Sequence, residues 1–496
     1  MKKIALIALV MVSGILSAQA QSAYKVHVKI KDTKDSMVFL AHYYGKPLPV
    51  VYKTDSARLD KHGVALLQSN DTAFTGGMYM LMMPDRATIY EFVLNKGDDI
   101  TMTTTAGKPT DEVVFTNSPE NDYFKAYTAY AKDYSKRQQE YAKELKEAKT
   151  TADSAIVRKK ATEDYKAGIA YRADFIKAHP NTFIAHIFGA MQTPQVPEGD
   201  HFLEDGKTKD STFAFKYYKE HYWDNFNFRD DRLILTPLYD GKLEEYINKL
   251  TYPAPDSMEK EADMLLSKTK GTKDLFHYTL YWLTRNVETS KIMGMDEVFV
   301  YLVENYYMKG DAFWLKSDEL AKYIDRAQKI APNVIGNLAP EIKVQNIMTK
   351  EQVSLLDTKA KYTLLVFYAS DCGHCQHEIP ILDSAYNAIL KSKGVKVLTV
   401  ATKGDEKAIT DFIKKDSITD WINTWDPEET GNKAGGWRDK YDVYSTPTIY
   451  LLDEKKIIRG KRVDASNIVT IIDNLERKER DKAEKKDKKG TGKAGS

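Results

Sequence analysis

The chain has 496 residues, 42% hydrophobic and 29% charged, with 26 glycines and 16 prolines, a balance that excludes collagen, a low-complexity chain and a bundle of membrane spans. Its 73 basic and 71 acidic side chains leave a formal net charge of +2, too little concentrated positive charge to coat nucleic acid. At roughly 100–200 residues per domain the length accommodates about three domains.

Met1-Lys2-Lys3 is basic, Ile4 to Ile15 is apolar, and Ala18-Gln19-Ala20 offers small residues where a signal peptidase reads. Residues 1–20 are therefore expected to be an export signal, leaving a periplasmic or secreted protein that is soluble after cleavage. No later segment reaches the ~18 apolar residues a membrane span needs. Export into an oxidising compartment usually brings structural disulfides, yet the chain has two cysteines, Cys372 and Cys375.

From Tyr24 to Ile30 apolar and polar residues alternate, the period of a half-buried strand. Similar stretches at 37–42, 64–68, 78–83, 88–94 and 100–105, punctuated by Gly, Asn and Asp, predict an antiparallel all-β sandwich over residues 21–118. His27, His42 and His62 fall within it without ligand spacing and read as ordinary strand or surface histidines. At Ser118-Pro119-Glu120 the period becomes helical. Helices are expected at 120–149, 152–178, 212–222, 240–250, 257–285, 295–309 and 316–330, making 119–335 an α-helical middle domain. Its stripe of Tyr123, Tyr127, Tyr130 and Tyr134 reads as packing rather than a ligand groove, while the run from His221 through Tyr222, Trp223, Phe226 and Phe228 fits either packing or a groove and points to no known chemistry.

Strand-like segments at 341–347 and 353–356 lead into the apolar run Tyr362–Tyr368, typical of a buried central strand. Further strands at 395–400, 421–425, 448–452 and 457–462, with helices at 406–415 and 467–477, predict an α/β domain over 336–475. The remainder, 476–496, carries nine basic and five acidic side chains and is expected to be a disordered charged tail.

Cys372-Gly373-His374-Cys375 stands between that central strand and a helical pattern bearing Ile379, Leu382, Tyr386 and Ile389. A strand-to-helix turn puts Cys372 at a helix N-terminus, where free N–H groups and the dipole favour the thiolate. Cys372 is then the attacking sulfur, and Cys375, one turn on, resolves the mixed disulfide. A zinc site would need four ligands, and Cys372, His374, Cys375 and His377 cannot all converge from one helix. As a purely structural staple the pair would close too short a loop to be effective.

The segment Phe367 to Cys375, with Glu378-Ile379-Pro380, resembles the active-site segment of thioredoxin-fold oxidoreductases, in particular the exported TlpA/ResA-like branch. About seventy residues on, Ser445-Thr446-Pro447-Thr448 resembles the loop in which that family keeps a cis-proline facing the disulfide. The resemblance covers roughly residues 336–475. It implies a C-terminal thioredoxin fold, no bound cofactor and no metal. Cys372 and Cys375 would be catalytic, with Glu378 as proton acceptor for Cys375. Gly373 and His374 would tune the potential, and Thr446, Pro447, Tyr368 and Asp371 would line the substrate site. Thioredoxins proper place a buried Asp where this chain has Val366. Two cues to direction conflict: Gly-His between the cysteines resembles isomerases, whereas the branch marked by an acid at Glu378 is generally reducing. Reductase, oxidase and isomerase stay open. Partners would be cysteine-containing envelope proteins and a membrane or soluble redox partner, with no nucleic acid; a homo-oligomer is compatible. The competing reading is an envelope ligand- or partner-binding protein with a redox-sensitive thioredoxin-like domain.

Overall fold

The N-terminal alternation is realised as β1 (Tyr24–Lys31), which buries Val26, Val28 and Ile30 and turns His27, Lys29 and Lys31 to water. This computed structural model describes residues 22–491 apart from 87–88 and 109–111; the export-signal segment 1–20 lies outside the described residues. There follow β2 (Met37–His42), β3 (Tyr52–Arg58), β4 (Val64–Ser69), β5 (Gly76–Met82), β6 (Ile89–Asn95), β7 (Asp98–Thr105) and β8 (Val114–Thr116). They form two four-stranded sheets, β4-β1-β7-β8 and β3-β2-β5-β6. One pair corrects the antiparallel expectation: β1 and β7 run parallel, because the chain passes through the other sheet between them. β3 was not foreseen, since its residues are polar and largely exposed at a sheet edge and carry no apolar alternation.

The helices are α1 (Pro119–Glu147), α2 (Thr151–Ala178), α3 (Phe183–Met191), α4 (Phe213–Glu220), α5 (Tyr239–Glu245), α6 (Pro255–Thr269), α7 (Asp274–Glu288), α8 (Met295–Leu302) and α9 (Ser317–Ile330). Thr150 and Asp153 close a reciprocal capping box on α2. The single helix expected over 257–285 is two, parted by Lys270-Gly271-Thr272, where Gly271 takes φ +96°. α3 was missed because seven of its nine residues are buried, so the sequence has no polar face to reveal a period. The tyrosine stripe is packing: Tyr130 stacks on Tyr171 of α2 at 4.5 Å and Tyr123 meets Phe175 at 5.2 Å. Trp223, Phe226, Phe228, Tyr239 and Tyr246 likewise form one aromatic cluster.

The chain folds as two compact units, one of residues up to Leu250 with Lys268–Tyr278, the other of Thr251–Ser267 with the residues from Thr279 onward. The helical stretch 119–335 contributes to both units. Periodicity tells that a helix has an apolar face, not which neighbour covers it.

In the second unit β9 (Lys343–Asn346), β10 (Gln352–Ser354), β11 (Tyr362–Ala369), β12 (Val395–Lys403), β13 (Ile422–Trp425), β14 (Thr448–Asp453) and β15 (Ile458–Lys461) form one sheet in the order β10-β9-β13-β12-β11-β14-β15. The fully buried β11 lies at its centre, parallel to β12 and antiparallel to β14. The remaining helices are α10 (Gly373–Ala385), α11 (Glu406–Lys415), α12 (Trp437–Lys440) and α13 (Ile468–Thr491). One face of β11 (Leu364, Val366, Tyr368) packs under α10, α11 and α13, and the other (Leu365, Phe367) under Trp437 and Tyr441. Helices on both faces make this an α/β domain.

The expected disordered tail is corrected as far as Thr491, because α13 continues through it. Lys, Glu, Arg and Ala are strong helix formers, opposite charges recur at helical spacing, and Glu476 is tied to Lys361 and Lys393 at 2.5 and 2.7 Å. Among the described residues no helix is long and apolar enough to cross a membrane.

Candidate active site

β11 ends at Ala369, and the chain turns through Ser370 and Asp371 before α10 begins at Gly373. The turn is closed by the Cys372 N–H donating to the Ala369 carbonyl at 3.2 Å. Cys372 is the N-cap of α10, at φ −90° and ψ 118°, partly exposed, while Cys375 is fully buried. Across from them the Thr446–Pro447 peptide is cis, and the Cys372 thiol donates to the Thr446 carbonyl at 3.3 Å. The fold thus brings Cys372, Cys375, Thr446 and Pro447 together from two segments 74 residues apart.

The two sulfurs ionise differently. Burial raises the Cys372 thiol, but the Thr446 side chain, the N–H groups of Cys375 and His374 and the Cys375 side chain together favour its thiolate more strongly, so it lies below the usual value. Burial dominates at Cys375, and the neighbouring Cys372 adds to it, outweighing help from Ala369 and Thr446; the thiol is pushed up to about 11. The pair is one accessible, readily ionised sulfur backed by one concealed, protonated sulfur.

The other expected site residues divide. His374 is exposed and contributes through its N–H, and a Cβ at Gly373 would meet nothing within 4 Å. Asp371 sits on the rim, exposed, with its carboxylate paired to Lys403 at 2.6 Å. Tyr368 does not line the surface: it is 0% exposed, stacks on Phe412 at 5.2 Å and packs in the core that holds Cys375. The reason is that β11 is covered on both faces, and position 368 shares the face of 364 and 366 that packs under α10, α11 and α13. Glu378 does not bond Cys375 in this structure. Its carboxylate accepts from the Ala465 N–H at 3.3 Å and lies 3.3 Å from His377 Nδ1. Val366 is fully buried in the same core and supplies no proton-accepting group. Lys403 and Ala465 were missed, because 32 and 87 residues separate them from Asp371 and Glu378 and no local pattern links such pairs.

Three family models match the chain: a domain of unknown function (DUF4369) over residues 24–124, another (DUF5106) over 137–334, and the AhpC/TSA family over 335–461. Among curated relatives, the thiol-disulfide oxidoreductase ResA of Oceanobacillus iheyensis is 29% identical over 133 residues, 25% of this chain and 65% of the relative. This chain therefore spans just under two thirds of that relative's length. The thioredoxin-like protein YneN of Bacillus subtilis is 31% identical over 129 residues, 26% of this chain and 71% of the relative. Among solved structures, a thioredoxin-like protein from Bacteroides caccae is 20% identical, covering 57% of this chain and 99% of that one, with a TM-score of 0.43.

Proposed function

The chain belongs to the thioredoxin-like proteins by way of its C-terminal α/β domain, and from this we propose that it is a thiol–disulfide oxidoreductase working through Cys372 and Cys375. The observation that carries the reading is the asymmetry of the pair, an accessible sulfur of lowered pKa beside a buried one raised to about 11.

The Cys372 thiolate attacks one sulfur of a substrate disulfide. A mixed disulfide forms, and the departing substrate sulfur takes a proton. Cys375 then loses its proton and attacks the Cys372 sulfur, releasing the second substrate thiol. Two electrons and two protons pass from the enzyme dithiol to the substrate, and the reverse sequence oxidises a dithiol. Burial protects Cys375 from outside reagents until a substrate occupies Cys372. Among the described residues nothing accepts from the Thr446 N–H, which leaves it open to an extended substrate backbone beside the cysteines. The potential of the partner couple fixes the direction of flow, and His374 next to Cys372 tunes the enzyme's own.

The substrates in this reading are cysteine-containing proteins outside the cytoplasm, reached by export on residues 1–20, and a membrane or soluble redox partner restores the pair. The two N-terminal sheets pack face to face as a sandwich, supported by the Tyr24 hydroxyl bonding Asp55 at 3.1 Å and Phe92 meeting Phe115 at 5.9 Å from opposite sheets. The test is trapping. Cys375→Ser incubated with insulin should accumulate a covalent adduct that dithiothreitol dissolves, while Cys372→Ser should form none. Equal trapping by both variants, or none by either, would overturn the reading.

A further inference from the structure

The segment from Tyr441 to Pro447 joins α12 to β14 and carries Thr446 against Cys372. Tyr444 and Ser445 within it are exposed. Asp442 is held in the left-handed region at φ +49°, a conformation that a non-glycine residue keeps only where its surroundings enforce it. Its side chain is 6% exposed and takes two guanidinium groups, Arg326 on Oδ1 and Arg462 on Oδ2 at 2.9 Å. Arg462 also donates to the Asp442 carbonyl. The same two cations lie over the Tyr444 ring, at 5.7 and 4.0 Å.

A cavity of about 550 Å³, lined by Arg326, Asp442, Tyr444 and Arg462 among others, lies against this segment. Tyr441 and Val443 seat the start of the segment in the core, while on the cavity side charge-assisted hydrogen bonds to Asp442 hold it. One of the two cations comes from helix α9, outside the α/β domain but within the same compact unit.

We propose that Arg326 is a positioning residue for disulfide exchange: from α9 it fixes Asp442, and through Asp442 it holds the Thr446–Pro447 loop against Cys372. The inference rests on the exchange reading above and gives the helical region a part in it. Loosening Asp442 lets Thr446 drift from the sulfur whose ionisation it helps to set, and misplacement of about 1 Å can cost up to roughly 100-fold in rate.

The test uses the full chain with Arg326→Ala, Arg326→Lys, Asp442→Asn, the double variant Arg326→Ala/Asp442→Asn, and Lys322→Ala as an exposed control on the same helix. Two readouts are taken: the alkylation rate of Cys372 by iodoacetamide at pH 7, and kcat/KM for insulin reduction. Arg326→Ala should lower kcat/KM by about tenfold or more and slow alkylation, Arg326→Lys should recover part of both, and Lys322→Ala should match wild type. The double variant should lose no more than the worse single variant, as residues acting through one contact do. Wild-type values for Arg326→Ala, or losses that multiply in the double variant, would overturn the proposal. Should Arg326→Ala fail to fold, Arg326→Lys against Asp442→Asn carries the comparison. An inactive wild type would refute the exchange reading instead, with the alkylation rates still reporting on the loop.

Discussion

Cys375 gives the sharpest quantitative handle on the asymmetric pair. With its thiol at about 11 against an ordinary value near 9, roughly one molecule in a thousand carries the thiolate at pH 8, where an unperturbed cysteine would have about one in ten. Thiolate supply alone therefore slows alkylation about a hundredfold, and complete burial of the sulfur slows it further. The reduced protein, treated with excess iodoacetamide at pH 8 and read by tandem mass spectrometry of the peptide bearing both cysteines, should label Cys372 first. Cys375 should follow at least about 100 times more slowly, gaining close to tenfold per pH unit up to pH 11. Stability carries the same signature. The folded thiol keeps its proton to higher pH than the unfolded one, so between about pH 9 and 11 the unfolded chain binds fewer protons and stability falls as pH rises. Two pKa units correspond to about 2.7 kcal/mol. Other buried groups titrate there too, so the quantity to measure is the difference between wild type and Cys375→Ala in denaturant unfolding. Comparable labelling of both cysteines at pH 8, or a wild-type slope no steeper than that of Cys375→Ala, would refute the reasoning.

Three further outcomes follow from named contacts. Glu378→Gln should hold insulin reduction within about threefold of wild type, less than the ~10²-fold that loss of a working general base costs, because the carboxylate is engaged with Ala465 and His377; a hundredfold fall in turnover would put it back on the proton path. Gly431→Ala would set a Cβ 2.1 Å from the Trp437 ring, which stacks on Phe367 and donates to Asp426, so denaturant unfolding should show a loss of about 1–3 kcal/mol. Asp296→Asn strips the counter-charge from Lys461, whose side chain is 5% exposed, and should cost about 3–5 kcal/mol. Replacing both partners, Asp296→Asn with Lys461→Met, should be nearly neutral by the same measurement, and a loss as large as that of Asp296→Asn alone would contradict the pairing.

The parts of the fold legible in the sequence are those written in local periodicity. The alternation of β1, the apolar run of β11, the Pro119 start of α1 and the strand–Cys–helix context of Cys372 all translate directly into elements. What stayed hidden depends on remote partners. The exposed edge strand β3 and the wholly buried α3 lack a two-sided pattern, and the parallel β1–β7 pairing is a matter of topology. At the site, the motif located Cys372, Cys375 and the Thr446–Pro447 loop, but the covering of Tyr368 by helices and the capture of Glu378 by Ala465 appear only when distant segments meet. The helical course of α13 past Glu476 was legible in principle, since its charges are spaced for a helix as well as for solvation.

The most direct measurement is catalysed reduction of insulin by dithiothreitol, followed as precipitation of the reduced chains, with wild type and Cys372→Ser side by side. Exchange through Cys372 predicts precipitation well ahead of dithiothreitol alone for wild type and a return to that background for Cys372→Ser. A folded wild-type protein that leaves the background rate unchanged, or a Cys372→Ser variant that keeps the acceleration, would contradict it.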